Sequence, residues 1–84
     1  ELFIEFTPSD FGNLNKRELE ILQRLSLGES NVIIADYLGL SPYTVQDYIK
    51  SIMLKFDVQT RVEAVAVAFR SGILKWFHLE NDLF

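Results

Sequence analysis

Ile34-Ala35-Asp36-Tyr37-Leu38-Gly39-Leu40-Ser41-Pro42-Tyr43-Thr44-Val45 carries the decisive punctuation of an 84-residue chain. Gly39 supplies the positive φ that a tight helix exit requires. Ser41 followed by Pro42 is an N-cap serine with proline at the first helical position, which starts a new helix at once. So short a link forces the two helices to cross steeply, the geometry of a helix-turn-helix. Small Ala35 lets the partner helix approach, and Val45 is spaced to plug the angle between them.

Outward from that turn the chain reads as further helices. Asn15 and Glu18 have the spacing of a capping box, in which each side chain takes an orphan backbone N–H of the other. Leu19, Ile21, Leu22 and Leu25 follow at helical spacing, and Gly28 ends the segment. Ser30 N-caps the next helix, which is expected to turn Ile33, Ile34, Tyr37 and Leu38 inward. The helix after Pro42 has an apolar face of Val45, Tyr48, Ile49, Ile52, Met53 and Phe56. Thr60 and Glu63 repeat the capping-box spacing and open a fourth helix, stopped by Gly72. The expected fold is all-α: a four-helix bundle containing a helix-turn-helix, with short apolar terminal extensions. Residues 1–12 read as an extension or linker, 13–74 as the domain, and 75–84 as an aromatic extension. Residues 2–6 are expected as a short strand or extended clamp. Residues 73–79 are expected to extend the fourth helix or to fold back as an added turn.

Hydrophobic residues at 49% and charged residues at 24% make a chain that folds. Twelve acids against eight bases give net −4, a balance that on its face argues against nucleic acid. The placement of the charge weakens that objection. Residues 13–74 hold seven bases and seven acids, so the excess acid lies at the two ends, in Glu1, Glu5, Asp10, Glu80 and Asp82. The same ends hold Phe3, Phe6, Phe11, Trp76, Phe77 and Phe84, six of the eleven aromatics. They are expected to pack on the domain's own surface, or else to dock an upstream domain or lengthen a dimer interface.

Several classes fall on inventory. With no cysteine there is no disulfide framework, thiolate metal site or cysteine nucleophile, which fits a reducing cytoplasm. No apolar run approaches the ~20 residues that span a bilayer, so no membrane partner is expected. His78 is the single histidine and sits among tail aromatics. Without a glycine-rich phosphate loop, a metal-ligand cluster or a nucleophile beside a base, no enzyme, cofactor or metal is expected. A start at Glu1 rather than methionine leads us to expect a piece of a longer protein.

The chain resembles the C-terminal helix-turn-helix domain of LuxR/NarL/GerE-type (FixJ-type) bacterial transcription regulators. The resemblance rests on Lys16-Arg17-Glu18-Leu19-Glu20-Ile21-Leu22, Gly28-Glu29-Ser30-Asn31, Ile34-Ala35, Leu38-Gly39-Leu40-Ser41, Thr44-Val45, Lys55-Phe56-Asp57-Val58 and Arg61-Val62-Glu63-Ala64-Val65-Ala66. It implies a four-helix domain in the bacterial cytoplasm that binds double-stranded DNA as a homodimer. The third helix would lie in the major groove and the fourth at the dimer interface. If the parent protein has a sensor or receiver domain, it is expected before Glu1.

On the third helix Tyr43, Thr44, Gln46, Asp47, Lys50, Ser51 and Leu54 are expected outward. Thr44 and Ser51 can reach phosphates, and Gln46 has the donor–acceptor pair for adenine N6/N7. Lys50 suits a guanine edge or a phosphate, and Asp47 can accept from cytosine N4. Lys55 and Arg61 are expected to hold the DNA backbone, with Ser30 and Asn31 at a second helix N-terminus. Taken singly, each of these is an ordinary solvated polar residue; the constellation is what points to DNA. The basic positions are thin, since Gln46 and Leu54 stand where the family commonly has basic residues. Val32 and Ile33 likewise replace charged ones. The fourth helix is apolar nearly all round, which calls for a partner on its outer side. A homodimer seam through Ala64, Val67, Ala68 and Ser71 is expected. The rival reading is a helix-turn-helix descendant that has become a protein-interaction module.

Overall fold

The computed structural model describes the backbone of residues 2–4 and 14–76 and the side chains of residues 14–74. Expectations that rest on His78, on the terminal acids or on the side chains of the terminal aromatics lie outside the described residues. The elements run β1 (Leu2–Ile4), α1 (Lys16–Ser26), α2 (Asn31–Leu38), α3 (Pro42–Phe56), α4 (Arg61–Arg70) and β2 (Leu74–Trp76).

Each helix starts where a side chain satisfies its orphan donors. Asn15 Oδ1 accepts from the Glu18 N–H at 2.8 Å, and Glu18 Oε1 accepts from the Asn15 N–H at 2.9 Å, completing the capping box. Ser30 and Ser41 accept from Ile33 and Thr44, with Pro42 at the start of α3. At α4 Thr60 Oγ1 accepts from the Glu63 N–H, but the return contact differs from a capping box. The Glu63 carboxylate takes the Gln59 N–H and the Thr60 hydroxyl instead. Each such cap contributes about 1 kcal/mol.

The turn at Gly39 (φ +71°) closes with the Leu40 N–H on the Ala35 carbonyl at 2.8 Å, a Schellman closure. The exit from α3 uses the same bond, Val58 N–H to Met53 carbonyl, around Asp57 at φ +57°. Aspartate tolerates the left-handed region better than most residues, so no glycine punctuates this turn in the sequence.

The core gathers Ile21, Leu22 and Leu25 of α1, Ile34 and Ala35 of α2, Val45, Ile49 and Ile52 of α3, and Ala64 and Ala68 of α4. Ala35 and Val45 are buried at the α2–α3 crossing, as their spacing requires. Two expectations for α2 fail. Ile33 and Tyr37 are exposed rather than inward, at 53% and 64%. Val32-Ile33-Ile34-Ala35 is apolar throughout, so its pattern names no inner face; packing on α3 selects Ile34 and Ala35.

Beyond α4 the described chain, through Trp76, does not extend the helix; it folds back, as a strand rather than as the added turn expected. Gly72 (φ +87°) turns it into β2, which pairs antiparallel with β1 in the register Leu2↔Trp76, Phe3↔Lys75, Ile4↔Leu74. The ribbon lies against α1 and α4. Ile73 and Leu74 are both buried, each contributing about 1.5–3 kcal/mol relative to exposure. The fold is the expected helical domain, and a two-stranded ribbon joins its ends.

Candidate nucleic-acid interface

With Val45, Ile49 and Ile52 turned into the core, the opposite side of α3 presents Tyr43, Asp47, Lys50 and Leu54. These are spaced i, i+4, i+7 and i+11, a single stripe along the helix. Tyr43 and Leu54 are 85% and 82% exposed. Lys50 is exposed and makes no ion pair among the described residues. Of the residues expected to point outward from α3, these four do so fully.

The remaining candidates lie on the two flanks of the stripe, where they are held by other helices. On one flank stands Glu18, buried to 2% exposure on the first turn of α1. Its carboxylate accepts from Lys55 Nζ at 2.8 and 3.1 Å and from Ser51 Oγ at 2.7 Å. Burial pushes this carboxyl upward. The hydrogen bonds from Lys55, Ser51 and the Asn15 N–H, with the charge of Lys55, outweigh burial and hold it below the ordinary 4.5. Ser51 thus directs its hydroxyl proton to Glu18, and Lys55 is paired with a carboxylate rather than standing unopposed. Thr44 is half-buried, 3.0 Å from Ser41 Oγ. It shares with Asp47, Tyr48, Asn15 and the Glu18 cluster a shallow groove of about 380 Å³.

On the other flank three helices meet at Asn31, Gln46 and Arg61. Arg61 donates to Asn31 Oδ1 at 2.7 Å and to Gln46 Oε1 at 3.1 Å, and Asn31 Nδ2 donates to Gln46 Oε1 at 2.8 Å. The sequence places these residues on α2, α3 and α4, and the structure brings them into one network. Ser30 stays exposed at the start of α2.

Arg24 makes a third cluster behind α2. It forms a bidentate pair with Glu29 at 2.7 and 2.8 Å and lies 3.7 Å from the centroid of the Tyr37 ring. The cluster leaves no mark in the sequence, because Tyr37 passes for a core aromatic.

The expected dimer seam needs correction. Ala64 and Ala68 are fully buried and face the core, where their small size lets α4 approach the other helices. Val67 and Ser71 are half-buried, and Ser71 Oγ donates to the carbonyl of Val67 at 2.7 Å. The outer side of α4 instead exposes Val62, at 75%, together with Ala66. Val62 also borders a cleft of about 370 Å³ lined by Leu25, Gly28, Glu29, Arg61 and Val65.

A helix pair joined by a tight turn, the second helix capped and open along one side, is the pattern of the helix-turn-helix class of DNA-binding domains. Residues 12–68 match the family model of bacterial regulatory proteins of the luxR family, and the chain belongs to that family. It is a DNA-binding domain of a transcription regulator, a class without enzymatic activity. Over 61 residues it is 43% identical to the HTH-type transcriptional activator RamA of Corynebacterium glutamicum, covering 73% of this chain and 22% of RamA. It is 36% identical over 62 residues to the transcriptional regulatory protein DegU of Brevibacillus brevis, covering 74% and 26%. It is 35% identical over 69 residues to the response regulator UvrY of Escherichia coli, covering 82% and 32%. The chain thus spans about a third or less of the length of these relatives. Among the described residues no helix is long and apolar enough to cross a membrane.

Proposed function

We propose that this domain inserts α3 into the major groove of double-stranded DNA and acts as a homodimer on a two-fold-related site. The observation that carries the reading is the stripe Tyr43–Asp47–Lys50–Leu54, laid open on the second helix of a helix-turn-helix. Lys50 and Asp47 meet base edges, Tyr43 and Thr44 lie at the groove entrance, and Gln46 reads from the flank. Ser30 and Asn31 bring the N-terminus of α2 toward a phosphate, supported by the helix dipole. Arg61, and Lys55 across its Glu18 pair, add positive charge beside the DNA backbone. The outer side of α4, with Val62 and Ala66 in place of the buried alanines, supplies the dimer contact. In the parent protein, residues 1–12 link residues 13–74 to a sensor or receiver domain, and the whole works in the bacterial cytoplasm.

The charge pattern sets the strength of binding. Glu18 opposes Lys55, Glu29 opposes Arg24, and Arg17 lies 3.4 Å from Glu20. Few cations face DNA without a carboxylate beside them, so few counterions are released on binding. Affinity then depends on two half-sites bound together. One observation favours the rival, a protein-interaction module: Val32, Ile33 and Tyr37 form an exposed apolar surface on α2.

Titration of a labelled duplex, recovered by selection from a random pool, separates the two at several salt concentrations. The DNA reading expects a slope of log K against log salt shallower than about −7, equivalent to fewer than about eight phosphates. It expects Lys50→Ala to cost about 1–3 kcal/mol on that duplex, and Val62→Lys to abolish dimers in sedimentation. The rival expects no duplex to be recovered.

A further inference from the structure

We infer that Gln46 reads its base pair as a hydrogen-bond donor only, and so selects guanine where a free glutamine would select adenine. The inference rests on the proposed entry of α3 into the major groove, and it comes from the hydrogen-bond economy of the Asn31–Gln46–Arg61 network.

Arg61 has donors and no acceptor, so whatever faces it must be an oxygen. Its two terminal nitrogens face Asn31 Oδ1 at 2.7 Å and Gln46 Oε1 at 3.1 Å, which fixes the orientation of both amides. With Oδ1 turned to Arg61, the Asn31 amide nitrogen is left to donate, and it does so to Gln46 Oε1 at 2.8 Å. A carboxamide oxygen has two lone pairs. Both lone pairs of Gln46 Oε1 are therefore taken, one by a charged donor and one by a neutral donor. The Gln46 NH₂ group keeps two donors for a ligand.

Adenine is read by glutamine through a pair of bonds: Oε1 accepts from N6 and Nε2 donates to N7. With Oε1 occupied, the first of these is lost unless the Asn31 or Arg61 bond is given up. Guanine presents two acceptors on the same edge, O6 and N7, which a donor-only amide matches without rearrangement. Thymine O4 offers one acceptor, and cytosine offers only a donor. The expected order at this base pair is guanine first and cytosine last. Asn31 and Arg61 are positioning residues in this scheme, acting on the base through Gln46.

Selection from a randomised duplex pool tests the idea directly. The base pair read by Gln46 is the one whose preference vanishes in Gln46→Ala, and guanine is expected there for the unaltered chain. Gln46→Glu keeps both accepted bonds but has no donor, so its affinity for the guanine site should fall about 5- to 150-fold. Asn31→Ala releases one lone pair and should move the preference toward adenine, a change that a merely structural role would not produce. Adenine selected by the unaltered chain overturns the inference while leaving DNA binding in place. So does guanine preference that persists unchanged in Asn31→Ala, or an absence of any position that depends on Gln46. If the folded chain, checked by circular dichroism, recovers no duplex at all, the proposed function falls and this inference falls with it.

Discussion

The two flanks of α3 are built from different chemistry. On one, a buried carboxylate at the start of α1 gathers an ammonium, a hydroxyl and a backbone N–H. On the other, two neutral amides and a guanidinium meet at the half-buried ends of three helices. The Glu18 cluster ties α3 to the body of the domain, and its charge would be costly to leave unpaired. The Asn31–Gln46–Arg61 network lies at a half-exposed site and is expected to hold less, but it sets which atoms of Gln46 remain available. On the proposed function one flank serves mainly stability and the other mainly recognition, although in the sequence both are legible only as polar residues on or near one helix face.

Glu18→Ala is the severest challenge to this contrast. It removes the carboxylate to which Lys55 and Ser51 donate and opens one half of the capping box. A loss of about 2–4 kcal/mol is expected in urea denaturation, below the full cost of an orphaned buried charge because Lys55 can reach water. A loss under about 1 kcal/mol would place the cluster with the ordinary surface pairs.

Acid probes the same contrast without mutation. The folded Glu18 carboxyl lies below its ordinary 4.5, so its contribution is complete above that value. It is lost as pH falls from about the ordinary value through the folded one. Stability measured against pH should therefore decline over that window in the unaltered chain, and more steeply than in Glu18→Gln. Equal slopes would remove the cluster's role.

The smallest effect is expected on the other flank. Asn31→Ala deletes two neutral or charge-assisted bonds at a half-exposed site. It should lower stability by no more than about 1 kcal/mol, read in the same denaturation series. A larger loss would make the second flank structural too.

Much of the fold is readable along the chain because its signals are local. Asn15, Ser30, Ser41-Pro42 and Thr60 mark four helix starts, and Gly39 marks the turn, each through contacts spanning five residues or fewer. Asp57 escapes notice because a left-handed turn without glycine carries no distinctive residue. β2 escapes because three residues, Leu74-Lys75-Trp76, become a strand only when residues 2–4 lie beside them. Faces are harder still. Val32 to Ala35 and Val62 to Ala68 are apolar almost without interruption, so periodicity cannot choose an inner side. In α4 the choice falls on Ala64 and Ala68, the smallest residues at i, i+4 spacing, which permit the closest approach to the core. Reading the same alanines as an outer seam inverts the helix.

Caps, turn residues and short motifs act over a few positions, so the four helices, the tight turn and the family all follow from the order of residues. Which polar side chains of α3 stay open and which are held follows only from the folded chain. Glu18 and Lys55 lie 37 residues apart, and Asn31 and Arg61 lie 30 apart. A hydrogen bond between such residues exists only after the core has brought their helices together. Candidate contacts on α3 are therefore visible in the sequence as residue types. Their donor and acceptor capacity is set by the fold.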